Sequence, residues 1–421
     1  MAAPYAQLAV PPSILDTDLY KFSMQQAVLQ TFPDVDATYR FTNRNSHTTF
    51  SRQCFEQFRA AVSTFSLLEL TPDERLWLSK SCPFLSNSYL DYLAAYRYKP
   101  EQVHIRFHSS DDDQQWGQVE IEVTGPWVET ILWEVPLMAC LSQTYFQTVD
   151  IDWNQAGQEE LAYTKGKRLL EANCSFSEFG TRRRRSFHTQ EVVLRPLVQA
   201  SKDVHSPNPG RLLGTSNVHF ARLFGIEPVG TIAHEWFMAV AALTGYDNAN
   251  GRALDLWEKV YPSNVSLIAL TDTFTTDAFF TDFALDPERA ERWTGLRQDS
   301  GDPNLFAPRV KHFYESLGID PANKLVVFSD ALTVDKAIGL RQQCASLGLN
   351  KISFGIGTHL TNDYRSLSNG GQEKSKALNI VIKLKEVDTK PCVKLSDDLT
   401  KTTGDKEVAK HIIGLYHLSR G

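Results

Sequence analysis

The sequence predicts an α/β protein: an irregular parallel α/β barrel joined to an α+β region made of the N-terminal stretch and a set of C-terminal strands. Three observations predict it. From residue 210 onward, short apolar runs end in polar residues, and the later ones recur at intervals of about 30 residues, the length of a strand–helix unit. Before residue 150, apolar and polar residues alternate with a period of two, the pattern of half-buried strands. After residue 378 that alternation returns without the 30-residue spacing. A doubly wound sheet satisfies the first observation too and stays the alternative.

Taken in chain order, Asp16-Thr17-Asp18-Leu19-Tyr20 reads as a helix start with Asp or Thr as its cap. Tyr39 and Phe41 alternate with Arg40, Thr42 and Arg44. Val103, Ile105 and Phe107 alternate in the same way, as do Val119, Ile121 and Val123. His104 and His108 stand four apart, a spacing that suggests a metal pair on a helix. On a period-two strand, beside Arg106, they belong to an exposed polar face instead. Gly180 permits a turn, Thr181 can cap, and Arg182 to Ala200 reads as a helix. The apolar runs then follow: Leu212–Asn217, Val229–Glu235, Ser266–Asp272, Gly295–Asp302, Leu325–Asp330 and Ile352–Thr358. Each reads as a buried parallel strand with hydroxyls, carboxylates, an Arg or a His at its C-terminal end, where parallel barrels carry their sites. Ile380, Ile382 and Leu384 alternate with Val381, Lys383 and Lys385, and Val393 and Leu395 follow; these strands are expected to pair with the N-terminal region. The division expected is 1–150, completed by 375–421, around a barrel at 151–374.

Composition narrows the function classes. The 421 residues carry 43 Lys and Arg against 50 Asp and Glu, a net charge of −7, which removes the electrostatic footprint of a nucleic-acid binder. The six cysteines include no C-x-x-C pair and are too sparse for a disulfide scaffold, so a reducing compartment is expected. The first residues show neither a basic n-region nor a sustained apolar stretch, and no signal peptide is expected. Val128–Leu141 is interrupted by Glu129, Glu134 and Pro136, so no membrane span is expected. The location expected is cytoplasmic, with a nuclear one left open.

The polar strand ends suggest chemistry. Four consecutive Args, Arg182–Arg185, at a predicted helix start form a site for phosphate or carboxylate, with one or two Args left for solvent or structural carboxylates. Phe179 just before them offers a stacking face to a flat ring, although core packing explains a lone Phe equally well. Gly355-Ile356-Gly357-Thr358 after a strand lets backbone N–H groups approach a phosphate, yet it is no dinucleotide fingerprint, and no G-x-x-x-x-G-K loop occurs. Arg297-Gln298-Asp299-Ser300-Gly301-Asp302, with Asp330, suits ribose hydroxyls or a Mg²⁺ bridged to phosphates. His234 has neither an H-E-x-x-H nor a cysteine partner, and no G-x-S-x-G elbow exists; a His in this setting can act as a nucleophile toward phosphate. No residue set is assigned to a resident metal.

These segments in this order, with Leu213-Gly214-Thr215-Ser216-Asn217, Leu270-Thr271-Asp272-Thr273-Phe274 and Asn379–Leu384, resemble the fungal-type nicotinate phosphoribosyltransferases of the type II phosphoribosyltransferase superfamily. The resemblance covers nearly the whole chain. It implies an ATP-coupled enzyme of NAD biosynthesis that makes nicotinate mononucleotide and pyrophosphate from nicotinate and phosphoribosyl pyrophosphate. His234 matches the phosphohistidine, with Mg²⁺ as cofactor and ATP as co-substrate. It further implies a homodimer with shared sites, in which Tyr20 comes from the neighbouring chain. On that frame Tyr20 and Phe179 sandwich the ring, and Arg182 and Arg297 hold its carboxylate or a phosphate. Thr215 donates a hydroxyl, Asp299 accepts from the ribose, and Ser329, Gly357 and Thr358 cradle the 5-phosphate. Ser216, where a nicotinamide-using relative needs an acidic acceptor, favours the acid substrate. A non-catalytic barrel is the remaining competitor and has no use for the His.

Overall fold

The structure is a computed structural model that describes residues 8–110, 113–261, 267–398 and 402–418. Ser266, which opens one expected strand, and both ends of the chain lie outside the described residues.

Among the described residues, fourteen strands form two large sheets and a small ribbon. The strands are β1 Asp36–Asn43, β2 Phe50–Ser51, β3 Val103–Ser109, β4 Trp116–Pro126, β5 Ser175–Glu178, β6 Leu212–Thr215, β7 Ile268–Leu270, β8 Gly295–Gln298, β9 Leu325–Phe328, β10 Lys351–Ile356, β11 Tyr364–Arg365, β12 Lys374–Ser375, β13 Ile380–Val387 and β14 Lys390–Pro391. The antiparallel sheet runs β14-β13-β1-β4-β2, with β3 also on β4. Alternation sets its register. Tyr39 faces Leu384 and Phe41 faces Ile382, so the buried residues of β1 and β13 share one face. On β3, His104, Arg106 and His108 are exposed, and His108 pairs with Glu120 at 2.7 Å, as the strand reading expected.

The second sheet is parallel, in the order β6-β5-β10-β9-β8-β7. Its strands are short and almost wholly buried, from Phe176 through Leu296, Val326, Phe328 and Phe354 to Ile356, as a sheet covered on both faces requires. Five of the six expected apolar runs are strands here.

The sixth is a correction. Val229–Ala233 is no ladder strand. Only Pro228 bridges to Thr215, and His234 is the first residue of the helix His234–Thr244 rather than the end of a strand. Gly230 and Thr231 interrupt the run, and its apolar residues go on into a helix whose side chains from Trp236 to Ala241 are buried. The segment still closes the sheet. At one end it lies on β6, where Gly214 has φ +146° and an added Cβ would stand 2.0 Å from the Glu227 carbonyl oxygen. At the other end His234 reaches Thr273 just beyond β7, at the opposite edge. The barrel is therefore six ladder strands joined by one extended segment. The missed strand is β5, whose apolar content is a single Phe176.

The Arg-rich helix is also corrected. Thr181–Arg183 is a single 3-10 turn, and the helix runs Phe187–Asp203. The Ser186 hydroxyl accepts from the Thr189 N–H while the Thr189 hydroxyl accepts from the Ser186 N–H, so the capping box starts the helix there.

Candidate active site

The C-terminal ends of β5 to β10 lie on one side of the barrel, and two of them, β7 and β8, together with Lys394 of the C-terminal segment, organise His234. Its Nδ1 lies 3.0 Å from the Thr273 hydroxyl, and its Nε2 lies 3.2 Å from Asp299 and 2.8 Å from the Lys394 ammonium. Burial, followed by the Lys394 charge, pushes the imidazole below its ordinary pKa, although Asp272 and Asp299 pull the other way. The downward shift favours the neutral ring near pH 7. Asp299 is held well below the usual carboxylate range: burial opposes this, but Arg297 and His234 outweigh it.

Arg297 leaves β8 and is fixed on three sides. Its Nη1 donates to Thr231 at 2.6 Å, its Nε to Ser329 at 2.9 Å, and its Nη2 to Asp299 at 3.1 Å. The Ser329 hydroxyl donates in turn to Asp299 at 2.7 Å. Ser329 therefore braces Arg297 and Asp299. Thr215 is fully buried and spends its proton on Glu178 at 2.6 Å, so its hydroxyl is not free to donate to a ligand.

Phe179 follows β5 and lies flat on β10. A Cβ on Gly355 would stand 2.4 Å from its ring, and one on Gly357 would stand 3.0 Å from its carbonyl oxygen. The glycines of the Gly-x-Gly-Thr segment thus seat Phe179 as well as leaving backbone accessible. Thr358 opens a one-turn helix, Thr358–Thr361, whose last hydroxyl donates to the Gly180 carbonyl.

The four Args divide. Arg184 is buried and bidentate on Asp16, at 2.8 and 2.5 Å. Arg185 is buried with its guanidinium carbon 4.0 Å from the Phe146 ring centroid, 4.5 Å from Tyr364 and 4.8 Å from Trp153; burial first of all lowers it to about 10. Arg183 donates to the Ile380 carbonyl of β13. Arg182 keeps 41% of its side chain exposed, 3.4 Å from Glu134 and 3.8 Å from Asp18. Tyr20, half-buried, sits in the field of Glu134 and Arg182 of its own chain, and Tyr20 and Glu134 in turn raise the Arg182 guanidinium.

Several residues here escaped the sequence reading. Lys394 and Lys383 come from the C-terminal segment, and Arg44 from the end of β1. Lys383 is lowered to about 7 by burial, then by Lys394 and Arg44. Arg44 also lines a polar cavity of about 680 Å³ with Tyr145, Asp150 and Lys374. Asp272 was visible as a polar strand end. It is fully buried, with one oxygen 3.3 Å from Lys394 and the other without a hydrogen-bond partner among the described residues. The alternation of β13 marked Lys383 as off the core, but nothing in the sequence said that this face meets the cleft. Among the described residues no three His, Cys, Asp or Glu side chains gather as a metal cage. A Mg²⁺ carried by phosphates needs only one or two carboxylates, and the spare oxygen of Asp272 fits that need. No described helix is long and apolar enough to cross a membrane.

Comparison with known proteins fits this geometry. The nicotinate phosphoribosyltransferase (NAPRTase) family matches residues 174–419, and its N-terminal domain matches residues 15–142. A nicotinate phosphoribosyltransferase of Methanosarcina mazei is 43% identical over 423 residues, covering 96% of this chain and 98% of the relative. One from Saccharomyces cerevisiae is 39% identical, covering 95% and 94%. A crystal structure from Saccharomyces cerevisiae superposes with a TM-score of 0.94 at 37% identity, covering 99% of this chain and 100% of the other. That of nicotinate phosphoribosyltransferase from Porphyromonas gingivalis gives 0.87 at 36%, covering 97% and 100%. A mixed α/β fold with an irregular barrel, a histidine framed by two charges at the strand ends, and matches running almost from end to end agree: this chain belongs to the nicotinate phosphoribosyltransferase family.

Proposed function

We propose that this enzyme joins nicotinate to the ribose of phosphoribosyl pyrophosphate, forming nicotinate mononucleotide and pyrophosphate, and that it couples the reaction to ATP through phosphorylation of His234. The observation that carries the reading is the neutral, charge-framed His234 in the same cleft as two arginines, each tied into a carboxylate network. The test is product analysis after mixing the protein with nicotinate, phosphoribosyl pyrophosphate, ATP and Mg²⁺, with nicotinamide run in parallel. Nicotinate mononucleotide is expected from nicotinate alone, together with ATP hydrolysis; no mononucleotide from nicotinate would sink the reading.

Nicotinate is a flat ring with one carboxylate. Tyr20 and Phe179 flank it, and Arg182, exposed at the cleft, takes the carboxylate. Arg297, braced by Thr231 and Ser329, presents a fixed guanidinium to the carboxylate or a phosphate. Asp299 takes the ribose hydroxyls, while Gly357 and Thr358 offer a backbone N–H and a hydroxyl to the 5-phosphate. Departure of pyrophosphate leaves positive charge on the anomeric carbon, so the chain's task is to hold the ring nitrogen in line and the phosphates in place. Arg44, Arg183, Lys383 and Lys394 suit the phosphates electrostatically. Asp272, with the phosphates, would hold a Mg²⁺, which would supply neutralisation of the leaving charge.

Gly355→Ala tests the seat of Phe179. The methyl group would drive the ring off β10 and spoil one stacking face. The nicotinate KM is expected to rise about 2- to 10-fold, the worth of one aromatic contact, with the pyrophosphate-side kinetics little changed. Steady-state kinetics on the folded variant check it.

The family resemblance adds a homodimer in which Tyr20 crosses into the neighbour's site. A mixed dimer of Tyr20→Ala and His234→Asn chains then holds one doubly damaged site and one intact site, so mixing the refolded variants is expected to restore ATP-stimulated activity; no gain although heterodimers form would overturn the crossing arrangement.

A further inference from the structure

A buried chain of charges joins the two ends of the cleft. Lys21, next to Tyr20 on the helix Leu19–Thr31, has a fully buried side chain, with Nζ 2.6 Å from Glu134 and 2.7 Å from Glu235. Glu134 uses its other oxygen toward Arg182, at 3.4 Å. Glu235 follows His234 directly, and its other oxygen accepts from the Trp127 indole at 2.9 Å and from the Tyr39 hydroxyl. Against the cost of burial, the two glutamates raise the Lys21 ammonium, so it stays charged. A single lysine thus ties the first turn of the helix that begins with His234 to the carboxylate that holds Arg182.

A buried ammonium between two carboxylates is a weak source of stability, since well-packed apolar residues of similar volume often replace such groups at no loss. It does fix geometry. Each of its partners has a second oxygen committed elsewhere, so moving Lys21 moves both. We propose that Lys21 is a positioning residue that sets the distance between Arg182, at the ring-binding end of the site, and His234, at the phosphoryl-accepting end. This rests on the roles proposed above for Arg182 and His234.

The proposal predicts a division of effects that a purely structural lysine would not produce. Glu134→Gln keeps an acceptor for Lys21 but turns a neutral amide toward Arg182. It should raise the nicotinate KM about 10-fold and leave the rate of labelling by γ-labelled ATP within about twofold. Glu235→Gln places an amide among three donors and shifts the start of the His234 helix. It should slow labelling about 10-fold with the nicotinate KM little changed. Lys21→Met should do both at once, since misplacement by about an ångström costs up to 100-fold in rate. Near-UV circular dichroism and a cooperative melt establish that each variant is folded. Should Lys21→Met fail to fold, the Glu134→Gln/Glu235→Gln double variant decides. Coupling through Lys21 makes the two effects non-additive, by about fivefold or more. Additive effects there, or a folded Lys21→Met with normal KM and normal labelling, would overturn the proposal. If the wild-type protein takes no label at all, the phosphohistidine reading falls instead, and Lys21 is judged on the nicotinate KM of Glu134→Gln and Lys21→Met: a tenfold rise in both sustains it, and wild-type values refute it.

Discussion

Replacing His234 with Asn is expected to eliminate phosphorylation of the protein by ATP and all stimulation of synthesis by ATP, leaving a slow ATP-independent formation of nicotinate mononucleotide. Asn matches the imidazole in size and retains one polar contact toward Thr273 or Asp299, so the framework around it stands. It offers no ring nitrogen to form a phosphoramidate. Loss of a nucleophile of this kind costs on the order of 1,000-fold or more in the step it performs. The measurement uses γ-labelled ATP and an acid-labile, base-stable label on the protein; label on the Asn variant would move the role to another histidine, His219 first. The pH profile adds a sign. His234 lies below its ordinary value of 6.5 because of burial and Lys394, so the reactive neutral ring persists as the pH falls through the usual histidine range. Labelling should be level around neutrality and decline only below 6.5.

The second large effect is expected at Arg297. Its guanidinium is only 13% exposed and holds three oxygens besides any ligand. Arg297→Ala removes a charge-assisted contact in a mostly closed site and should cost about 2–4 kcal/mol in kcat/KM, or roughly 30- to 1,000-fold. A second consequence separates this from simple loss of a ligand contact. Asp299 loses the cation that does most to hold its pKa down, and its carboxylate, 3.2 Å from His234, is then balanced by Lys394 without Arg297. The pKa of His234 should rise, and the acid limb of ATP labelling should move to higher pH. Unchanged kinetics and an unchanged limb in a folded variant would remove Arg297 from the site.

The parallel strands were legible because each is a compact apolar run with a polar end; β5 was missed because polar residues surround its single phenylalanine. The extended segment before His234 was misread as a strand because an apolar run looks the same entering a helix as ending a strand. In either case position 234 lies close to Thr273 and Asp299, at the ends of β7 and β8. The Arg cluster was legible as an anion site only in part. Arg184 and Arg185 are absorbed by Asp16 and by three aromatic rings that lie far from them in sequence, and no local pattern foretells those partners. The same holds for Lys394, whose meeting with His234 spans 160 positions. Ser329 and Thr215 show a further limit. The sequence shows a hydroxyl at a strand end, but whether its proton goes to a ligand or to a neighbouring carboxylate depends on the fold; here both go to carboxylates.

The pairing of β1 with β13 has a bearing on how the chain comes off the ribosome. Asp36 and Asp388, hydrogen-bonded across the sheet, are 352 positions apart. At roughly 5–20 residues per second, about 20–70 s of synthesis separate them. During that interval one edge of β1 has no partner, and β5 likewise waits for β10, which is the central connection between β5 and β9 in the barrel although it is the last of the six strands to be made. Neither sheet can close by growing outward from its first strand. A message truncated before Lys351 would therefore yield open strand edges in both halves of the molecule rather than a smaller working enzyme, a product suited to chaperones and proteases.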